Sequence, residues 1–303
     1  MATIYTNVSA NKWRTMVIMT FFVVFVIGLG YLFGRALGIT WIFPLAIIIA
    51  IVQAFSSYWW SDKVALAISG AHEVQKKDAP ELYRLVENLA ITAGLPTPRV
   101  YIIDDASPNA FATGRDPEHA AIAVTSGLLA KLSKPELEGV IAHEFSHVGN
   151  YDIRLSAVIV VLVGFVVLIS DWFLRFSFWG VGDDDNRDRG QLGVILMIVG
   201  IVLALLSPLF ASLIQLAISR KREFLADADG ALLTRNPNSL ADALTKITSD
   251  TAVFRHANKA TAHLFITSPL KDEKGKSKGL FANLFDTHPD PAERIKRLRE
   301  MAM

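Results

Sequence analysis

The 303-residue sequence contains no cysteine. Disulfides and thiolate metal sites are therefore excluded, and any metal must be held by His, Asp or Glu. Charge is sparse as well: Asp, Glu, Lys and Arg make up 19% of the chain, against roughly 25% in an average soluble protein. The net charge is +1, so no overall basic field calls for a nucleic-acid partner. Internal repeats and a phosphate-cradling glycine loop are also lacking. Apolar residues fill the space: 52% of the chain is hydrophobic and the mean hydropathy is +0.37. That balance is the one expected of a membrane protein.

Four windows are long and free of charge: 15–34, 36–60, 155–170 and 190–219. A helical crossing needs about 20 apolar residues, which the first, second and fourth windows supply. The third reaches that length when Asp171 lies at the interface and the helix continues through 172–178, with Trp172, Phe173, Phe176 and Trp179 as an aromatic belt. The sequence thus predicts spans at about 15–34, 36–60, 155–176 and 192–217. The first is longer than a signal-peptide core and has no clear cleavage site after it, so it reads as an uncleaved anchor. Transporters usually carry polar residues within their spans; here Gln53 and Gln215 are nearly alone, which disfavours that class.

Lys12, Arg14, Lys63, Lys76, Lys77, Arg154, Arg220, Lys221 and Arg222 flank the spans on one side. Asp183, Asp184, Asp185 and Asp188 occupy the loop between the last two. Because Lys and Arg stay on the cytoplasmic side, both termini and the segments 61–154 and 220–303 are expected in the cytoplasm. These segments read as two pieces of one domain, separated by the hairpin 155–219, with 1–60 as an N-terminal membrane hairpin.

Within the first piece, Leu82, Leu85, Val86 and Leu89 recur at helical spacing before Gly94. Residues 99–104 form a β-rich run, 107–114 a loop or edge strand, and 119–129 a strand running into a turn. Ser133 and Glu136 make a capping box, with Pro135 in the first turn. In the second piece, "SRKREFLADADGALLTR" is helical, and a further helix is expected over 239–259. The polar, Lys- and Gly-rich stretch 271–279 is read as a loop, and a short helix capped by Asp290 closes the chain.

The helix begun at Ser133 carries "HEFSH". Two histidines four apart lie on one helical face, so the imidazoles of His143 and His147 can converge on one ion. Zinc suits such ligands and keeps an open position in catalytic sites. Glu144, beside that face, is placed to take a proton from water there. A catalytic zinc wants a third protein ligand. The pattern H-E-x-x-H-x-x-G-x-x-H fails, because Asn150 and Ile153 stand where Gly and His would be. The third ligand must come from Asp152 or a later carboxylate. Glu223 and Asp227 share a helical face, so one can bind zinc while the other steadies a ligand imidazole. Spacing alone leaves Glu223 evenly divided between that role and a solvated charge beside Arg220.

"NAFATG", "HEFSH", "SRKREFLADADG" and "HPDPAERIKRL", in this order, resemble the HtpX-like membrane metalloproteases, gluzincins related to the CAAX prenyl proteases. The resemblance covers nearly the whole chain. It implies four transmembrane helices and a mostly helical, zincin-like α+β catalytic domain with a small edge-strand sheet. By this resemblance His143, His147 and Glu223 hold one Zn2+ per chain, Glu144 is the catalytic base and Asp227 orients a ligand histidine. Asn109, Ala110, Phe111 and Ala112 match the segment that lines the substrate cleft by strand addition. His288 and Arg294 match a C-terminal element, in which His288 either stabilises the oxyanion or caps structure. The other histidines, His72, His119, His256 and His263, receive no role.

The expected function is zinc-dependent hydrolysis of polypeptides at the cell membrane, in quality control of membrane or misfolded proteins and the stress response. The partners are the bilayer and membrane-protein substrates, with no nucleic acid. The alternatives are a dedicated processing protease of the prenyl-protein type, whose members carry more spans, and an inactive membrane scaffold, which would not need Glu144.

Overall fold

The computed structural model describes residues 4–179, 220–255, 258, 261–269 and 289–302. The expected fourth span with its acidic loop, the stretch 271–279, His256 and His288 lie outside the described residues.

Two long helices open the chain, α1 (Ile4–Leu37) and α2 (Ile42–Ile68). Both are long and apolar enough to cross a membrane, and among the described residues no other single helix passes that test. Val24, Leu32, Ile48, Ile51, Val52 and Phe55 project outward from them, each more than half exposed. Water would not tolerate so continuous an apolar surface, whereas lipid solvates it. The second helix begins at Ile42, not at residue 36. Gly38, at φ +69°, adopts the left-handed conformation that ends α1 and lets the chain reverse. The second helix also runs past residue 60 to Ile68, carrying Asp62 into contact with Arg99 at 2.7 Å.

A four-stranded sheet follows: β1 (Ala71–Glu73), β2 (Arg99–Ile103), β3 (Ala110–Thr113) and β4 (Ala121–Thr125). Its order is β1-β2-β4-β3, with β2 and β4 parallel and the outer pairs antiparallel. The segment "NAFATG" therefore does form an edge strand. Side chains alternate across a strand, and both faces are covered. Val100, Ile122, Val124, Ala110 and Ala112 enter the main core. Tyr101, Ile103, Ala121, Ala123 and Phe111 pack on the opposite face with Ala65, Leu66 and Val160. Burial on both faces is why "AIAVT" lacks a polar alternation.

The main core joins this sheet to α3 (Pro80–Ala93), to α5 (Lys134–Gly149), which follows the short α4 (Ser126–Lys131), and to the C-terminal helices α7 (Arg220–Thr234), α8 (Pro237–Ser249) and α9 (Pro291–Met301). Leu82, Leu85, Val86 and Leu89 of α3 are buried, and Gly94 caps that helix at φ +65°. Glu136 accepts the Ser133 backbone N–H at 2.7 Å, and Asp290 caps α9 by accepting from Ala292 N–H at 3.0 Å. The helix expected over 239–259 stops at Ser249. Asp250 leaves the helical conformation, pairs with Lys131 at 2.6 Å and accepts from Ala252 N–H. A local cap and a distant lysine thus outweigh helical propensity there.

The helix α6 (Asp152–Trp179) contains the residues of the expected third span. Its first half packs Leu155, Val158, Ile159, Leu162 and Val166 against Phe22 of α1. It leaves α5 at an angle of 82°. The bend sits at Asn150 and Tyr151, the latter at φ +60°, a conformation costly for an aromatic residue.

Candidate metal centre

The two histidines of α5 lie one turn apart with their Nε2 atoms 3.2 Å from each other. Glu223 enters from α7: its Oε2 is 3.8 Å from His143 Nε2 and its Oε1 is 3.6 Å from His147 Nε2. His143, Glu144 and Glu223 are buried, and His147 keeps one partly open edge. Among the described residues, the other grouping of potential ligands, Asp116, Glu118 and His119, is largely exposed.

Glu223 reaches the histidines because α7 can approach α5 very closely. A Cβ on Gly230 would lie 3.0 Å from His143 N and 3.2 Å from His143 Cα. Only a glycine fits against that backbone without displacement. Gly230→Val should push α7 outward and carry Glu223 away. The expected result is at least a tenfold loss of metal affinity together with about 1–3 kcal/mol of overpacking strain. Metal analysis of the purified variant and its thermal unfolding check both.

Each imidazole is held from behind. His143 Nδ1 lies 3.0 Å from Asp227 Oδ1, and His147 Nδ1 lies 3.0 Å from Asp152 Oδ2. A carboxylate at Nδ1 places a proton there and leaves Nε2 as the nitrogen that can give its lone pair to a metal ion. Two such nitrogens 3.2 Å apart beside a carboxylate are stable only with a cation among them, a proton on one Nε2 or a metal ion. Zinc bonded to nitrogen at 2.0–2.1 Å in a tetrahedron separates its ligand atoms by about 3.3 Å. The donor set therefore fits a zinc ion in chemistry and in spacing.

The carboxylates behind the histidines are themselves anchored. Arg294 of α9, 1% exposed, forks onto Asp227 through Nε and Nη2 at 2.8 and 2.7 Å, and donates from Nη1 to the Ile266 carbonyl. Burial alone would raise the Asp227 pKa. The Arg294 guanidinium outweighs it, and with hydrogen bonds from His143 and Arg294 the value falls to about 2. Burial would likewise lower His147, but the Asp152 hydrogen bond and the charges of Glu223, Asp152 and Glu144 hold it up at about 9. The Asp152 carboxyl is pulled below its ordinary value: burial opposes this, and the hydrogen bond from His147 and the Arg222 charge prevail.

Glu144 points toward the edge strand and accepts the Ala112 N–H at 2.8 Å. Ala110 donates no edge of its own to solvent, because its carbonyl accepts from Ile266 N–H at 2.9 Å. Asn109 ties the same segment down, donating to the Thr267 carbonyl at 3.0 Å. Phe111 lies on the other face of the sheet, edge-on to Phe265 with ring centroids 4.9 Å apart. The structure thus brings Ala112 to the metal-site carboxylate and leaves Phe111 as packing.

Three residues at the centre were not placed there by sequence reasoning. Asp152 was a candidate ligand, yet it stands behind His147. Its position depends on the 82° bend, which no local signal announces. Arg294 was singled out only as part of the C-terminal element, without a role, and it is its burial against Asp227 that gives it one. His263, given no role, lines the cavity in front of the histidines with Ser156, Leu264 and Phe265, and its Nε2 lies 3.2 Å from the Ser156 carbonyl.

Residues 76–302 match peptidase family M48. A protease HtpX homologue of Tropheryma whipplei (strain Twist) is 46% identical over 98% of both chains. Homologues from Caldanaerobacter subterraneus subsp. tengcongensis and Pyrococcus furiosus are 42% and 44% identical, over 99% and 96% of both chains respectively. Among solved structures, S. mikatae Ste24p aligns with a TM-score of 0.48 and 20% identity, covering 94% of this chain and 66% of that one.

Proposed function

The chain belongs to peptidase family M48 and is a membrane metalloprotease; on that footing we propose that it cleaves polypeptides with one zinc ion held by His143, His147 and Glu223. The observation that carries this reading is the convergence of those three side chains while both Nδ1 atoms are committed to Asp227 and Asp152. Zinc, when bound, polarises the scissile carbonyl and brings the pKa of water to about 7. Glu144 takes the proton of the attacking water and delivers it to the leaving amine. Asp227 and Asp152 hold the imidazoles in the tautomer that leaves Nε2 free to ligate. Burial of Glu144 and Glu223 keeps bulk water from screening their charges.

The Ala110 carbonyl and Ala112 N–H are the groups that an extended peptide would use to add a strand to β3. Ile266 and Glu144 hold them in this structure, so a peptide bound this way takes the place of Ile266 and frees the Glu144 carboxylate from Ala112.

The distribution of Lys and Arg supports a cytoplasmic active site in a multi-pass protein of the cell membrane, with α6 and the segment 192–217 as the remaining crossings. The metal centre abuts α6, whose first half packs on α1. That arrangement favours peptides arriving from the bilayer boundary, such as damaged or misfolded membrane proteins. One segment, tethered to a membrane anchor or free in solution, tests both levels. Chelation should abolish cleavage of either form and zinc should restore it. The tethered form should be cut at least tenfold more efficiently. Full activity in a metal-free protein would overturn the zinc reading, and equal efficiency on both forms would overturn the membrane-substrate reading.

A further inference from the structure

The most unexpected neighbour of the metal centre comes from the first membrane helix. Asn11 of α1 is 1% exposed. Its side-chain amide donates to Asp152 Oδ1 at 2.6 Å and to the Asn150 carbonyl at 2.9 Å. Its carbonyl oxygen accepts from Arg222 Nη1 at 3.3 Å, and the same Arg222 nitrogen donates to Asp152 Oδ1 at 2.6 Å. Thr15, one turn on, bonds the Asn11 backbone carbonyl at 2.9 Å and is also buried. Three elements distant in sequence, α1, the start of α6 and the start of α7, thus meet at one carboxylate.

That carboxylate has two oxygens with separate duties. Oδ1 is held by Asn11 and Arg222, and Oδ2 faces His147 Nδ1 at 3.0 Å. Fixing Oδ1 fixes the direction of Oδ2, and with it the plane of the His147 ring. The Asn11 bond to the Asn150 carbonyl also secures the bend between α5 and α6, where Tyr151 sits in a costly conformation. A helix that served only as an anchor would have no need of a buried amide at this depth, since an amide removed from water is costly unless it is bonded.

We propose that Asn11 is a positioning residue of the zinc site, acting through Asp152 on His147, so that the metal is held tightly only while its amide grips that carboxylate. This rests on the zinc-site reading given above. The first membrane helix then serves the metal site through this one amide rather than through its packing, and loss of the amide loosens the metal without any change in the ligands.

The test measures zinc release into a chelator and the absorption spectrum of the cobalt-substituted protein, on the full chain in detergent. Asn11→Ala should release zinc about tenfold faster, at the lower end of the 10–100-fold range for groups behind a ligand, and should shift the cobalt bands. Asn11→Asp, nearly the same in shape, serves where the alanine variant does not fold. It replaces the donor with an acceptor facing Asp152 and should also speed release. In an Asp152→Ala background, Asn11→Ala should add nothing. Phe22→Ala, which removes a larger α1 contact with α6, should leave release and spectrum unchanged. Wild-type release and spectrum in both Asn11 variants, while His147→Ala loses its zinc, overturn this inference alone. Faster release in Phe22→Ala equal to that in Asn11→Ala also overturns it, since loose packing would then suffice. A His147→Ala protein that keeps its zinc overturns the zinc-site reading and this inference with it.

Discussion

Glu144→Gln should lower peptide-bond hydrolysis by about 10²–10⁴-fold, the range for loss of a positioned general base, while the protein keeps its metal. The two halves of that outcome have separate physical grounds. Glu144 lies beside the face that carries His143 and His147, and its Oε2 is engaged with Ala112 N–H, so it contributes no ligand. Glutamine preserves the shape and can still accept that N–H, which leaves the packing of a buried site intact. What it lacks is a group able to take up a proton near neutral pH. Metal analysis alongside kcat on one substrate separates the effects. Loss of metal in the variant would make Glu144 a ligand, and retained turnover would exclude it as the base.

Arg294→Ala should destabilise the fold by about 3–5 kcal/mol, the cost of leaving one member of a buried ion pair without its partner. Arg294 and Asp227 are 1% and 4% exposed in their side chains, and two parallel bonds join them. Without the guanidinium, burial dominates Asp227 and its pKa must climb from about 2. A protonated Asp227 no longer orders the His143 tautomer, so metal affinity should fall together with stability. Arg294→Lys should recover only part of both, because an ammonium cannot form the planar fork. Unfolding in denaturant and chelator competition read the two effects. A stability change under 1 kcal/mol would show that water reaches Asp227 and that the pair is not truly buried.

The sequence announced these pieces unequally. Charge-free windows at 15–34 and 36–60 located α1 and α2, because a span is a property of composition over some twenty consecutive residues. The boundary at Ile42 was missed, since the apolar pattern runs unbroken through Gly38 and only that residue's positive φ ends the helix. The helix over Lys134–Gly149 was legible in its capping residues, and with it the pairing of His143 and His147, which requires nothing beyond helical geometry. The premature end of α8 was not, because Asp250 answers to Lys131, far away along the chain.

For this protein, local order in the chain was enough to establish a membrane-bound polypeptide with two imidazoles and a glutamate on one helix turn. Which carboxylate joins them, and which residues hold them still, was decided in three dimensions. Glu223 comes within reach because Gly230 lets α7 lie on the His143 backbone. Asp152 turns behind His147 because the chain bends by 82° after α5, and Asn11 reaches Asp152 across 141 residues of sequence. Periodicity and capping act between residues a few positions apart, whereas a metal shell is closed by whichever elements the core presses together.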